Sequence, residues 1–116
     1  MKKYTVLVID DNQINCEILK TLLEPNFDVL VAMDGYTGLE TIKKAKIDVI
    51  LADWFLPGIY GIDLLKEINS LGDFKIAIIT GEETIKEEDL LAYNVKRVFY
   101  KPLEFSKLTS AVLSLL

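Results

Sequence analysis

The sequence contains no histidine. Imidazole is therefore unavailable as a base, a metal ligand or a phosphoryl carrier, which removes most hydrolase triads and most zinc sites. The single cysteine, Cys16, permits no internal disulfide, and a reducing, cytoplasmic setting is the natural expectation. No basic cluster lies near Cys16 to lower its pKa, so it reads as a helix residue rather than a reactive thiol. No apolar run approaches the roughly 20 residues of a membrane span, and no signal-peptide pattern precedes the apolar stretch that begins near Thr5, so membrane insertion is not expected. Basic residues are in deficit, 13 Lys and Arg against 18 Asp and Glu, for a formal net charge of −5. That balance offers no basic surface for direct nucleic-acid binding.

What is present suits one domain over residues 1–116, since 51% hydrophobic residues supply a core without metal or disulfide staples. Short apolar runs alternate with amphipathic ones. Thr5–Ile9, Phe27–Ala32, Val49–Ala52, Ile76–Ile79 and Arg97–Tyr100 read as strands, the first buried on both faces. Asn15–Leu23, Thr37–Ala45, Ile62–Leu71, Thr84–Tyr93 and the segment after Pro102 read as helices. In the first helix Ile18, Leu19 and Leu22 fall at inward spacing, and in the second Leu39 and Ile42 do. Asn94 suits a left-handed closing position. Five strands alternating with five helices imply a parallel sheet covered on both faces. Ligands of such sheets bind beyond the carboxyl ends of the strands, where strand order reverses.

The residues at those ends are Asp10-Asp11, Asp53, Thr80-Gly81 and Lys101-Pro102. Three carboxylates, a hydroxyl and an ammonium would then meet at one sheet edge. Carboxylates that close repel one another, and a bound cation removes the conflict. Magnesium takes oxygen ligands and retains water, which suits Asp10, Asp11 and Asp53, with the Phe55 carbonyl as a further backbone donor. A carboxylate so held can attack phosphorus, and Lys101 would neutralise charge on the transferring group. Taken alone, Asp10-Asp11 fits a helix N-cap pair as well as a metal site. Asp53 alone fits a solvated loop, and Thr80 or Lys101 alone says almost nothing. Their joint placement at successive strand ends is what carries the reading.

Val8-Ile9-Asp10-Asp11-Asn12, Asp48–Asp53 leading to Pro57-Gly58 and Gly61, Ile78-Ile79-Thr80-Gly81, and Lys101-Pro102 together resemble the receiver domains of two-component response regulators. The resemblance covers the whole chain. It implies an α/β, flavodoxin-like, doubly wound five-stranded parallel sheet of order 2-1-3-4-5 with five helices. It implies Asp53 as phosphoacceptor, Asp11 and Asp53 as direct magnesium ligands and Asp10 acting through water. Thr80 becomes the switch hydroxyl and Lys101 the phosphate clamp before a cis-proline bond. The phosphodonor would be a histidine kinase or histidine phosphotransfer protein, and the chain a signalling switch rather than an enzyme with its own substrate. Asp11-Asn12-Gln13-Ile14-Asn15 looks like the receivers of hybrid kinases or phosphorelays, whether stand-alone or part of a longer chain.

Ile14, apolar on a helix whose inward positions are already taken, is a candidate for donor docking. The apolar end Val112–Leu116 suits a packed last helix, a homodimer surface or a boundary within a longer chain. The chain departs from the family pattern at Val98, where an aromatic switch residue is usual, and at Gly81. Phe99 and Tyr100 are expected to point in other directions than residue 98, because side chains alternate along a strand. Phe55 either shields the phosphoryl group or packs on the surface loop. Trp54 is expected to keep its ring out of the acidic site. A receiver-like interaction module without phosphorylation is a competing reading. An aspartyl-intermediate phosphatase is disfavoured, since neither Asp10 nor Asp53 has a second carboxylate two residues on. A flavin module lacks its phosphate cradle after the first strand.

Overall fold

The structure, a computed structural model, describes residues 3–116. The β-branched and apolar runs form strands β1 (Tyr4–Ile9), β2 (Phe27–Ala32), β3 (Val49–Asp53), β4 (Lys75–Thr80) and β5 (Val95–Tyr100). Between and after them lie α1 (Gln13–Leu23), α2 (Gly35–Lys44), α3 (Gly61–Leu71), α4 (Glu87–Leu90, followed by a 3-10 turn at Leu91–Tyr93) and α5 (Phe105–Leu113). All strands are parallel, in the expected order β2-β1-β3-β4-β5. The chain reverses its direction of travel across the sheet between β2 and β3, so the crevice beside β1 and β3 is the natural site.

Side-chain alternation divides the core in two. Leu7, Ile9, Ile50 and Ala52 pack with Leu39 and Ile42 of α2 and Leu64, Leu65 and Ile68 of α3. Val6, Val8, Val49 and Leu51 pack with Leu19 and Leu23 of α1 and Leu108 and Val112 of α5. Every residue of β3 is buried, which is why that strand reads as an unbroken apolar run up to Asp53. Leu115 and Leu116 are half-buried against the second cluster, so the apolar chain end packs on the molecule's own core.

The first two helices start on short polar side chains. Asn12 accepts from the Asn15 N–H at 3.0 Å and opens α1 two residues before the expected start. Asp34 accepts from the Thr37 N–H and hydroxyl, both at 2.8 Å, and these bonds hold its carboxyl below the usual carboxylate range.

Three expectations need correction. The buried stripe of α1 is Cys16, Leu19 and Leu23; Ile18 is exposed and Leu22 half-buried. The i, i+3, i+7 series from Cys16 faces the sheet, a rotation that local spacing leaves open. The fourth helix is far shorter than 84–93. Its first residues form a turn in which the Ile85 N–H reaches the Glu82 carbonyl at 3.2 Å. The like charges of Glu83 and Glu87 oppose a helix through both, and Lys86 provides no side-chain cap. Finally, only Phe99 points away from Val98. The ladder slips by one residue at Ile76/Ala77, so Val95 and Val98 both join the first cluster and Phe99 the second. Tyr100, two residues beyond Val98, returns to the same face, and its hydroxyl donates to the Ile85 carbonyl. Asn94 does adopt the left-handed conformation, at φ 63°.

The start of α2 presses on the loop after β3. A Cβ on Gly35 would lie 2.1 Å from the Ile59 carbonyl oxygen, and backbone there cannot yield as a side-chain tip would. Gly35→Ala should therefore destabilise the fold by about 2 kcal/mol or more, read as a lowered midpoint in urea at unchanged slope. An unaltered midpoint would mean that this loop is free to move.

Candidate functional site

The carboxyl ends of β1, β3, β4 and β5 carry the site. Asp10 follows β1 directly. Its N–H donates to the Ala32 carbonyl at 3.0 Å, and its Oδ1 accepts from the Asn12 N–H at 2.9 Å. The side chain is buried, whereas that of the next residue, Asp11, is exposed. Asp53 closes β3 and is buried. Thr80 closes β4; its Oγ1 accepts from the Glu82 N–H at 2.9 Å, which leaves the hydroxyl hydrogen free to donate. Lys101 follows β5. Its N–H donates to the Thr80 carbonyl at 2.8 Å, and its Nζ stands 2.9 Å from Asp53 Oδ2. The Lys101-Pro102 bond is cis, as expected.

One carboxylate oxygen from each of Asp10, Asp11 and Asp53 lies within 4.8 Å of the others. Burial pushes the Asp10 carboxyl above its usual range, and the charges of Asp53 and Asp11 add to that, against the Asn12 N–H and Lys101. A single ammonium is too little positive charge for three carboxylates so close together. The donor set is all hard oxygen, and the most crowded member resists ionisation, which fits a divalent cation such as magnesium.

The neighbouring residues divide between site and core. The Trp54 N–H extends the ladder to the Ile79 carbonyl at 2.9 Å. Its ring is buried in the first cluster, close above Gly61, and so stays out of the acidic site as expected. Phe55 is exposed, and its ring tilts against Tyr60 with centroids 5.5 Å apart. Cys16 is buried, and its thiol donates to the Asp10 carbonyl at 3.2 Å. Burial and then the Asp10 charge push its pKa up, which agrees with an inert thiol.

Ile14 is 67% exposed in the first turn of α1, so its side chain is open to a partner. Ile18 joins it one turn on, a partner that sequence reading had assigned to the core although the i, i+4 spacing was visible. A cavity of about 230 Å³ lies beside them, between α1 and the start of α5, where Asn15, Leu19, Leu103 and Phe105 meet Asp10 and Lys101. Glu87 was likewise not singled out from sequence, and Tyr100 only as an aromatic near Val98; both side chains bond to backbone groups, which leave no sequence signal. Among the described residues, no helix is long and apolar enough to cross a membrane.

Residues 6–113 match the profile of the response regulator receiver domain family. Chemotaxis protein CheY-3 of Vibrio cholerae is 37% identical over 86 residues, covering 70% of this chain and 66% of that protein. Stress response regulator protein 1 of Scheffersomyces stipitis is 32% identical over 110 residues, covering 89% of this chain and 38% of that protein. The chain thus spans less than two thirds of the length of either curated relative. The receiver domain of Francisella response regulator 1452 superposes with a TM-score of 0.86 at 30% identity, over 97% of this chain and 96% of that one.

Repulsion at the site has a measurable sign. A carboxyl whose pKa is raised by folding contributes stability at low pH that is lost as pH rises through its folded pKa. In chelator-containing buffer, Asp10→Asn should therefore raise the melting temperature at pH 7 while keeping an oxygen for the Asn12 N–H. The gain should shrink as pH falls and wild-type Asp10 takes up its proton. Magnesium should stabilise wild type more than the variant, by up to about 2.7 kcal/mol at a hundredfold excess over Kd. A variant less stable than wild type throughout would show that Asp10 is held by its hydrogen bond rather than strained by its neighbours.

Proposed function

Since this chain belongs to the response regulator receiver domain family, we propose that it is a phosphorylation-dependent signalling switch whose acceptor is Asp53. The observation that carries this reading is the convergence of three carboxylates within 4.8 Å, one of them 2.9 Å from the Lys101 ammonium, at the carboxyl end of the sheet. The donor is a phosphohistidine on a histidine kinase or histidine phosphotransfer protein. Asp10, Asp11 and Asp53, with the Phe55 carbonyl, are the residues that would hold magnesium, which would supply the positive charge that lets a carboxylate meet a phosphoryl group.

The chain's own residues do the rest. A carboxylate oxygen of Asp53 forms the new bond to phosphorus as the donor's phosphorus–nitrogen bond breaks, and the electron pair leaves with the imidazole. Lys101 neutralises charge on the equatorial oxygens, and the Thr80 hydroxyl hydrogen donates to one of them. No second substrate is turned over, so the chemistry is confined to gain and loss of the chain's own phosphoryl group. The exposed ring of Phe55, two residues after the acceptor, packs against Tyr60 in the surface loop. The exposed pair Ile14 and Ile18 offers the donor an apolar ridge one helical turn long. A cytoplasmic location follows from such a donor.

Incubation with acetyl phosphate or a phosphohistidine donor should label the protein only with magnesium present and only at Asp53. An Asp53→Asn variant that labels as well as wild type would overturn the assignment. It would leave a receiver fold serving as a plain interaction module.

Docking has its own test. Ile14→Ser should slow transfer from the protein donor about tenfold, the worth of one buried aliphatic contact, while labelling by acetyl phosphate stays at the wild-type rate. Equal loss with both donors would place the defect in the site and not in docking.

A further inference from the structure

The sheet ends in two edge strands, and the chain treats them differently. β5 carries Lys96 and Arg97, both exposed, and the outward N–H of Val98 is covered by Glu87 Oε2 at 3.2 Å. Charged side chains and a covering segment protect an edge from pairing with another chain. β2, at the opposite edge, has neither. Its one charged residue is Asp28, and it contains no lysine, proline or glycine. Its register with β1 runs unbroken from Tyr4↔Phe27 to Ile9↔Ala32, so no bulge turns the strand away.

The backbone directions on β2 are set by its bonds to β1. The Ala32 carbonyl accepts from the Asp10 N–H, so residue 32 turns its polar groups toward β1. Along a strand these groups alternate in direction. Asp28 and Leu30 therefore face β1 as well. Phe27, Val29 and Val31 face outward, each with one N–H and one carbonyl. The alternation on β1 agrees, since the Thr5 carbonyl turns the other way and accepts from the Asp48 N–H beside β3 at 2.9 Å. Among the described residues no strand lies beyond β2, and no side chain covers its outward groups. Val29, Leu30 and Val31 are only half-buried, so the helices on either face leave the edge open. An unpaired row of this kind fits one chemistry, another extended strand.

We propose that the β2 edge pairs antiparallel with the β2 edge of a second copy of the chain, joining the two sheets into one. Self-complementarity selects the occupant. With the two-fold axis at Val29, Val29 of one copy faces Val29 of the other, and Phe27 faces Val31. All of these are outward residues, so every outward N–H meets an outward carbonyl. Asp28 falls beside Leu30 of the second copy, and the two Asp28 charges do not oppose one another. The half-buried rims of Val29 and Val31 on one face, and of Leu30 on the other, gain cover. No phosphoryl group or metal enters the contact, so it stands apart from the reading of Asp53.

Sedimentation equilibrium of the full chain, with amide exchange followed over the same range of protein concentration, tests the pairing. Moderate salt screens the repulsion between two chains of formal net charge −5. A dimer should form as concentration rises, and the Val29 and Val31 amides should become protected in step with it. The Leu30 amide, which faces β1, should stay protected throughout. Val29→Pro removes an outward donor and leaves the bonds to β1 in place, a change that an edge strand tolerates. It should weaken dimerisation about tenfold or more, because the two-fold axis counts each lost bond twice. If that variant fails to fold, Val29→Lys, whose charge meets its own copy across the axis, should give a comparable loss. A chain that stays monomeric up to its solubility limit would overturn the proposal. So would a dimer whose Val29 and Val31 amides exchange as freely as the monomer's, since the contact would then lie elsewhere. Protection of both amides at every dilution would overturn it too, because the edge would be covered within one chain.

Discussion

Three carboxylates crowd one end of the sheet, with the Lys101 ammonium alone beside them among the described residues, and the character of the site follows from that imbalance. The arrangement is costly in isolation, since burial and like charge both oppose ionisation of Asp10. It persists because the groups are delivered by strands that have no freedom to retreat. Asp53 ends a strand buried along its whole length, and Asp10 follows four residues of β1 with no exposed surface. The two apolar clusters supply the stability against which the site's repulsion is set. A site built in this way responds strongly to added charge. A cation relieves it, and a phosphoryl group makes a new demand on every donor within reach.

The donors at the site come from several elements rather than one. Lys101 reaches Asp53 from β5, the Thr80 hydroxyl stands at the end of β4, and the Asn12 N–H steadies Asp10 at the start of α1. Each is bonded to a neighbour that leads away from the site. Trp54, buried in the core beside Asp53, anchors the end of β3.

The strands and the site residues were legible in the sequence because a parallel strand buried on both faces is an apolar run with an abrupt polar end. Ile9-Asp10, Ala52-Asp53, Ile79-Thr80 and Tyr100-Lys101 mark such ends or lie beside them. Helix phase was less legible. In α1 the apolar positions 14, 16, 18, 19, 22 and 23 admit two inward faces, and only the sheet decides for Cys16, Leu19 and Leu23. The fourth helix was overread because spacing gave no weight to the charge between Glu83 and Glu87. The direction of Tyr100 was misread because residues two apart on a strand share a face, and the slip at Ile76/Ala77 sets which face that is. Hydrogen bonds to backbone, such as those of Tyr100 and Glu87, leave no trace in residue patterns.

The elements flanking the site are unequal in how firmly they are held. On one side α1 and α5 run 11 and 9 residues and bury Leu19, Leu23, Leu108 and Val112 against the strands. On the other, beyond β4, α4 offers Leu90 as its one buried residue, and the segment before it is held by a few polar bonds. Elements held by so few contacts open at lower cost than helices buried along their length. On the proposed reading, the donor docks on the firm α1 side at Ile14 and Ile18, where a rigid ridge aids alignment. The response appears on the β4–β5 side, where little apolar contact must be broken. On that reading input and output are separated because α1 is packed on the sheet along its length, whereas the segment beyond β4 is held by a few polar bonds.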